Sequence, residues 1–259
     1  MMKVYSWQVD ALWLYLRMVM SSQLRGLDAE AQASLKRVIE KQPDETEIEA
    51  LKNIVSIRSR LHDSHQEIDL KDYGAGSGRM PSRRTVGSIH QSSAVPHWWG
   101  VFLFRLVREL RPQRVLELGT NLGVSAAYIQ SAMILNGNAG RFVTIEGDPT
   151  LVSIARETLD LVGQGDRDVV LGRFQDVLSG VLERSSPFDL VFIDGHHEYQ
   201  PTLKYFDQIK PFLSESGVTV FDDVYLWSRP VRKAWNQIIK THPQALPVDL
   251  AKFGILFKR

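Results

Sequence analysis

The chain has 259 residues, which is enough for one large α/β domain or for such a domain with a smaller appendage. Its 31 basic and 30 acidic side chains give a formal net charge of +1, so we expect a small-molecule partner and no nucleic acid or anionic membrane. It contains no cysteine, which excludes disulfides and thiolate metal sites and is compatible with a cytoplasmic protein.

Residues 1–70 are predicted to be helical. Apolar residues recur there at helical spacing, as in Ile48, Leu51, Ile54, Val55, Ile57 and Leu61. No convincing strand is visible, and Asp44 and Glu45 after a proline favour a helix that begins at this point. We expect an N-terminal extension that serves as a lid or as the interface of a homodimer, for which Trp7 and Trp13 offer apolar surface.

Two further features precede the predicted core. Asp10 and Arg17 interrupt the apolar N-terminus, so we expect an amphipathic helix and no stable membrane insertion. Residues 71–94 are interpreted as a Gly/Ser-rich loop segment, because the stretch DYGAGSGRMPSRR carries three glycines and a proline.

Residues 95–259 alternate short β-rich runs with helical segments, which predicts βαβ units and a parallel sheet. The predicted strands are Arg114–Leu118, Phe142–Glu146, Asp168–Leu171, Leu190–Asp194 and Val218–Asp222. Two more strand-like runs in LPVDLAKFGILFKR are joined too closely for a crossover helix, so this pair should be antiparallel. The fold class is therefore α/β, with a doubly wound, Rossmann-like sheet of seven strands, mostly parallel with an antiparallel last strand, plus N-terminal helices.

The stretch VLELGTNLGVSAAYIQ has the pattern of a strand, a glycine turn and a helix. Gly119 and Gly123 would let a ligand approach the backbone and the free N–H groups of the helix. Their spacing differs from G-x-G-x-x-G, which weakens a nicotinamide interpretation. Glu146 ends the next strand, where a carboxylate could bind both ribose hydroxyls, so we expect an adenosine-containing ligand. Alternatively, Glu146 is a solvated strand end and the glycines only form a tight turn.

Acidic residues follow the fourth and fifth predicted strands, in FIDGHHEY and VFDDV. The carboxyl ends of parallel strands meet at one edge of the sheet, so Asp194, Asp222 and Asp223 should converge. Three neighbouring carboxylates repel one another unless they are protonated or bridged by a cation. Oxygen ligands without sulfur favour Mg²⁺ or a similar divalent ion. The alternative is that Asp223 only caps the following segment.

These motifs, in this order, together with FVTIEGDPTLVSIARETL and VVLGRFQDVL, resemble the class I S-adenosylmethionine-dependent methyltransferases, within them the catechol and caffeoyl-CoA O-methyltransferases. The resemblance covers about residues 95–259. It implies that S-adenosylmethionine is the cofactor, with Glu146 on the ribose and Phe174 and Gln175 beside the adenine, although Phe174 could equally belong to the core. The remaining residues that it places around the cofactor are Glu117, Gly119, Thr120, Gly123, Gly147 and Asp194.

The resemblance also implies a metal and a base. Metal-dependent members carry an aspartate after the fourth strand and an Asp-Asn pair after the fifth, where this chain has Asp222-Asp223, and in metal-free members Asp194 would contact only the cofactor. His197 occupies the place of a family lysine, and an imidazole can accept a proton, so His197 is the candidate base, with His196 as the rival. Either histidine could instead be a metal ligand or an ordinary loop residue.

The resulting functional prediction is metal-assisted O-methylation of a small-molecule hydroxyl acceptor. Three alternatives stay open: a metal-independent O- or N-methyltransferase, an NAD-dependent oxidoreductase, and a non-catalytic binding protein. Trp98 and Trp99 could form a wall of the acceptor pocket or pack against the N-terminal helices.

Overall fold

A computed structural model describes residues 27–70, 82–137, 140–225 and 229–259. The helices are α1 (Ala29–Glu40), α2 (Glu45–His62), α3 (Val86–Ser93), α4 (His97–Leu110), α5 (Val124–Leu135), α6 (Pro149–Val162), α7 (Phe174–Ser185), α8 (Tyr199–Ile209) and α9 (Arg229–Thr241). The strands are β1 (Glu67–Asp69), β2 (Arg83–Thr85), β3 (Arg114–Leu118), β4 (Arg141–Glu146), β5 (Asp166–Leu171), β6 (Phe188–Ile193), β7 (Leu213–Phe221), β8 (Leu246–Asp249) and β9 (Gly254–Phe257).

Seven strands form one sheet in the order β5-β4-β3-β6-β7-β9-β8. The pairs from β5 to β7 are parallel, while β9 is antiparallel to both β7 and β8. The predicted fold class is therefore confirmed, including the antiparallel pair at the end of the chain. The strand order reverses between β3 and β6, and ligands of open α/β sheets bind beyond the carboxyl ends of the strands at such a point.

Helices cover both faces of the sheet. Successive residues of a strand point to opposite faces, so Val115 joins the core under α4, α5 and α6, whereas Leu116 joins the core under α7, α8 and α9. Both faces are apolar because the parallel strands are buried on both sides. This rigid scaffold fixes the positions at which the loops beyond the strands leave the sheet.

The described part of the N-terminal extension packs on the sheet domain. The helix α2 begins where predicted, and Asp44 caps it through a capping box with Glu47. Leu35 of α1 and Ile54 of α2 are buried in the same core as Phe102 of α4. The roles of a lid or a dimer interface stay predictions, and Trp7 and Trp13 lie outside the described residues. Among the described residues, no helix has both the length and the apolar character needed to cross a bilayer.

Two predictions before residue 95 are wrong. β1 pairs with β2 in an antiparallel ribbon, although no strand was expected before residue 71. Each strand has only three residues, which is too short for a periodic pattern. Within the predicted loop segment 71–94, the residues after 82 form β2 and α3, because the Thr85 hydroxyl caps α3 and Val86 and Ile89 are buried. The glycine-rich residues 71–81 lie outside the described part of the chain.

The strands β4 to β7 begin earlier than predicted, because polar residues precede or interrupt the apolar run of each strand. The fourth and fifth predicted strands also end one residue too late. Asp194 and Asp222 therefore belong to the loops after β6 and β7.

Candidate active site

The turn after β3 has the backbone geometry that its glycines suggest. Gly119 has φ +105°, and a Cβ at this position would lie 2.0 Å from the carbonyl oxygen of Asp194. Its N–H donates to the Ile145 carbonyl at 3.1 Å, which holds the turn against the end of β4. Gly123 has φ +82° and is the N-cap of α5. Only glycine combines these backbone angles with such close packing.

Glu117 lies on β3 with its carboxylate fully buried. Its Oε2 accepts a hydrogen bond from the Thr144 hydroxyl at 2.6 Å, and Thr144 in turn contacts the Thr120 hydroxyl at 2.5 Å. Among the described residues, its Oε1 has no hydrogen-bond partner. Burial raises the pKa of Glu117 to about 7, although interactions with the Ser125 and Thr144 side chains lower it in part. A buried carboxylate oxygen without a partner fits the cationic amino group of the methionine portion of the cofactor. Thr120 takes part in this network through its side chain.

Glu146 lies at the carboxyl end of β4, and the backbone holds its side chain. One oxygen accepts from the Asn121 N–H at 2.8 Å and the other from the Asp148 N–H at 2.9 Å. Burial raises the pKa of Glu146, while these bonds and one from Gly147 lower it. Each carboxylate oxygen can accept more than one bond, so Glu146 can still receive two ribose hydroxyls. These contacts argue against a freely solvated strand end.

Phe174 and Gln175 begin α7, beyond β5. The Phe174 ring packs edge-on against Tyr205, with 5.4 Å between centroids, and lies against Gly195 in the loop after β6. Gln175 is exposed. Phe174 therefore helps to position the loop that carries Asp194, and the proposed contact of both residues with adenine stays a prediction.

The three predicted aspartates do converge. Strand pairing fixes two of them, since the Asp194 N–H donates to Leu118 and the Asp222 N–H donates to Ile193. Burial and then the Asp222 carboxylate raise the pKa of Asp194 well above its usual value. Asp223 follows with φ +54° and a more exposed side chain.

Lys252, which was not predicted from the sequence, lies among these aspartates. Its Nζ is 2.7 Å from Asp222 Oδ1, 2.9 Å from Asp222 Oδ2 and 2.7 Å from Asp223 Oδ1. Burial lowers the pKa of Lys252, but the Asp222 and Asp223 carboxylates outweigh this and raise it above its usual value. The only sequence feature that could have indicated burial of Lys252 is its place between two apolar residues, Leu250 and Phe253, both of which are buried in the structure.

The two histidines after β6 have different surroundings. His197 Nε2 lies 3.5 Å from Asp194 Oδ1, and its Nδ1 lies 3.9 Å from Asp223 Oδ2. The His196 Nδ1 instead forms a hydrogen bond of 2.9 Å with the Tyr205 hydroxyl. His197 is therefore the histidine that belongs to the acidic cluster, and the rival His196 is turned toward α8.

Two of the predicted metal ligands are already paired with a lysine, so the metal stays a prediction. The Lys252 ammonium already contacts both oxygens of Asp222 and one of Asp223. A second set, Asp194, His197 and Asp222, has ligand atoms within 4.8 Å of one another. This set also requires Asp222, so an ion bound there would lie beside a buried positive charge.

The predicted aromatic wall is mostly core. Trp99 is buried and packs against Phe253, with 4.8 Å between ring centroids, whereas Trp98 is half-buried. His97 forms a hydrogen bond of 2.7 Å with the Tyr128 hydroxyl. Burial lowers the pKa of His97 to about 4, so it is neutral at pH 7 and of low basicity.

Comparison with known proteins gives similarities to methyltransferases. A family profile described as a methyltransferase domain matches residues 116–224. The catechol O-methyltransferase of Mycobacterium tuberculosis is 39% identical over 106 residues, which are 40% of this chain and 46% of that protein. The protein-L-isoaspartate O-methyltransferase of Fervidobacterium nodosum is 30% identical over 166 residues, which are 61% of this chain and 76% of that protein. The chain thus spans about half the length of the curated catechol O-methyltransferases that it matches first.

Solved structures show the same fold. The O-methyltransferase TomG from Streptomyces achromogenes, involved in tomaymycin synthesis and solved with S-adenosylmethionine, has a TM-score of 0.58 at 20% identity and covers 92% of this chain and 99% of its own. The chain therefore belongs to the class I S-adenosylmethionine-dependent O-methyltransferases.

Proposed function

We propose that the protein transfers a methyl group from S-adenosylmethionine to a hydroxyl of a small molecule. The observation that carries this proposal is the pair of glutamates beside the glycine bend, the turn after β3 that contains Gly119 and Gly123. Glu117 offers a buried oxygen without a partner among the described residues, and Glu146 is fixed by backbone N–H groups. A cationic amino group and a ribose diol are the ligands that complement these two carboxylates.

The acceptor is proposed to bind next to His197. In the reaction, the sulfonium–methyl bond breaks, a bond between the methyl carbon and the acceptor oxygen forms, and S-adenosylhomocysteine leaves. The hydroxyl proton passes to His197. The resulting imidazolium is stabilised by Asp194 at 3.5 Å and Asp223 at 3.9 Å. This pairing favours His197 over His196 as the base.

The sequence-based prediction of Mg²⁺ receives only partial support. Asp194, His197 and Asp222 could together offer three ligand atoms. We derive no step through a divalent ion, because Lys252 supplies a positive charge at the same carboxylates. In this form the proposal corresponds to the metal-independent alternative.

The proposal is tested by methyl transfer from isotopically labelled S-adenosylmethionine to a panel of catechols, phenols and sugar hydroxyls. The wild type should methylate at least one class of hydroxyl. His197→Gln should lower kcat by about a hundredfold or more while S-adenosylhomocysteine binds as before, because only proton transfer is lost. His196→Gln is the matched control and should retain activity. Equal activity of wild type and His197→Gln would reject the assigned base.

A homodimer through the N-terminal helices is also proposed. Its support is the pair Ile48 and Val55, two exposed apolar side chains one heptad apart on α2. Light scattering on the full chain should give twice the monomer mass. A monomer would contradict this part of the proposal.

A further inference from the structure

Lys252 is held in place by the backbone around it. It lies in the turn between β8 and β9, where its N–H donates to Leu250 at 2.9 Å. Its carbonyl accepts from the Val224 N–H at 3.0 Å, which ties the turn to the loop after β7. Ala251 adopts φ +67° in this turn, and its N–H donates to the Asp249 side chain at 3.0 Å. The turn between the antiparallel strands β8 and β9 therefore places Lys252 beside the aspartates.

The ammonium group is nearly enclosed. The Lys252 side chain is 7% exposed, as is that of Asp222. Three carboxylate oxygens lie within 2.9 Å of Nζ, two from Asp222 and one from Asp223. The centroid of the Tyr225 ring lies 5.5 Å from Nζ. A buried ammonium costs free energy unless it is paired, and here it compensates two carboxylates that would otherwise repel each other.

The same contacts oppose a bound metal. A divalent ion held by Asp222 would have to approach within about 2.0–2.6 Å of an oxygen that already contacts the ammonium. The two cations would then be separated by only about 5 Å or less, within a site of low dielectric. The donor set of Asp194, His197 and Asp222 does not avoid this conflict, because it also needs Asp222.

We propose that Lys252 is a built-in cation that takes the place of a divalent metal at the edge of the sheet, so that this methyltransferase site works without one. The inference rests on the proposed function for its place in catalysis, but its charge argument stands on the contacts alone. Lys252 is a positioning residue: it holds Asp222 and Asp223 together and leaves Asp194 and Asp223 to pair with His197.

The test measures Mn²⁺ binding by electron paramagnetic resonance on metal-stripped full-length protein. The wild type should bind Mn²⁺ weakly, and Lys252→Ala should bind it at least tenfold more tightly, because the carboxylates lose their counter-ion. Lys252→Arg, which retains the charge, should bind like the wild type. Lys258→Ala is the matched control, since Lys258 lies just after the same hairpin and donates instead to the Leu213 carbonyl at 2.8 Å.

Two results would overturn the inference. One is tight Mn²⁺ binding by the wild type that Asp222→Asn removes. The other is a folded Lys252→Ala protein that binds Mn²⁺ no better than the wild type. If circular dichroism shows that Lys252→Ala is unfolded, Lys252→Gln replaces it and is judged in the same way. Calorimetric titration of S-adenosylhomocysteine into the same wild-type sample separates the proposals, because its failure rejects the methyltransferase function and leaves the Mn²⁺ result valid.

Discussion

Replacing Glu117 with glutamine should stabilise the protein and weaken cofactor binding. The pKa of Glu117 is raised from 4.5 to about 7 by burial, so the native state binds more protons than the unfolded chain between these values. Protonation of Glu117 therefore stabilises the native state fully below about pH 4.5, and this contribution is lost as the pH rises through about 7. The difference of about 2.5 pKa units, at about 1.4 kcal/mol each, makes ionised Glu117 cost about 3 kcal/mol above pH 8. Glutamine stays neutral and avoids this cost.

Urea unfolding between about pH 5 and about pH 8 measures the effect. The free energy of unfolding should fall more steeply with pH in the wild type than in Glu117→Gln, and the variant should be more stable at the upper end. Glu157→Gln, an exposed position on α6, is the control and should follow the wild type. Identical pH profiles of wild type and Glu117→Gln would refute the reasoning.

The same variant separates stability from function. A cationic amino group of the cofactor should hold Glu117 ionised in the complex, so wild-type affinity for S-adenosylhomocysteine should fall up to tenfold for each unit below about pH 7. Glu117→Gln should bind more weakly at pH 8 and lose this dependence. Unchanged affinity in the variant would place the amino group elsewhere.

Other substitutions test the fold and the turn. Gly119→Ala should destabilise the protein by several kcal/mol, about 3 or more, and abolish cofactor binding, because its Cβ would lie 2.0 Å from the Asp194 carbonyl oxygen. Gly137→Ala is the matched control: φ is again +105° but nothing lies within 4 Å, so thermal unfolding should report only the smaller backbone cost. Asp44→Ala should lower the free energy of unfolding by about 1 kcal/mol through loss of the bond to the Glu47 N–H, with cofactor affinity unchanged.

The residues at the carboxyl ends of the parallel strands could be predicted from the sequence. The rule that these ends share one edge places Gly119, Glu146, Asp194 and Asp222 together without knowledge of any contact. Burial then explains features that a pattern does not give, such as the oxygen of Glu117 that has no partner among the described residues.

Lys252 could not be predicted in the same way. It reaches Asp222 across 30 positions of sequence, through an antiparallel hairpin whose register depends on tertiary packing. A lysine near the chain end is usually solvated, so its type alone argued against burial. The helix α3 was missed for a related reason, because serine and glycine favour loops locally while burial of Val86 and Ile89 decides the outcome.

Calorimetric titration of S-adenosylhomocysteine is the most direct test of the central claim, that the glycine bend and its two glutamates form a cofactor site. The wild type should bind one molecule per chain, and Glu146→Gln should bind at least tenfold more weakly, because its amide nitrogen cannot accept the bonds that the carboxylate accepts. No heat of binding to the wild type, or equal affinity of the two proteins, would contradict the account.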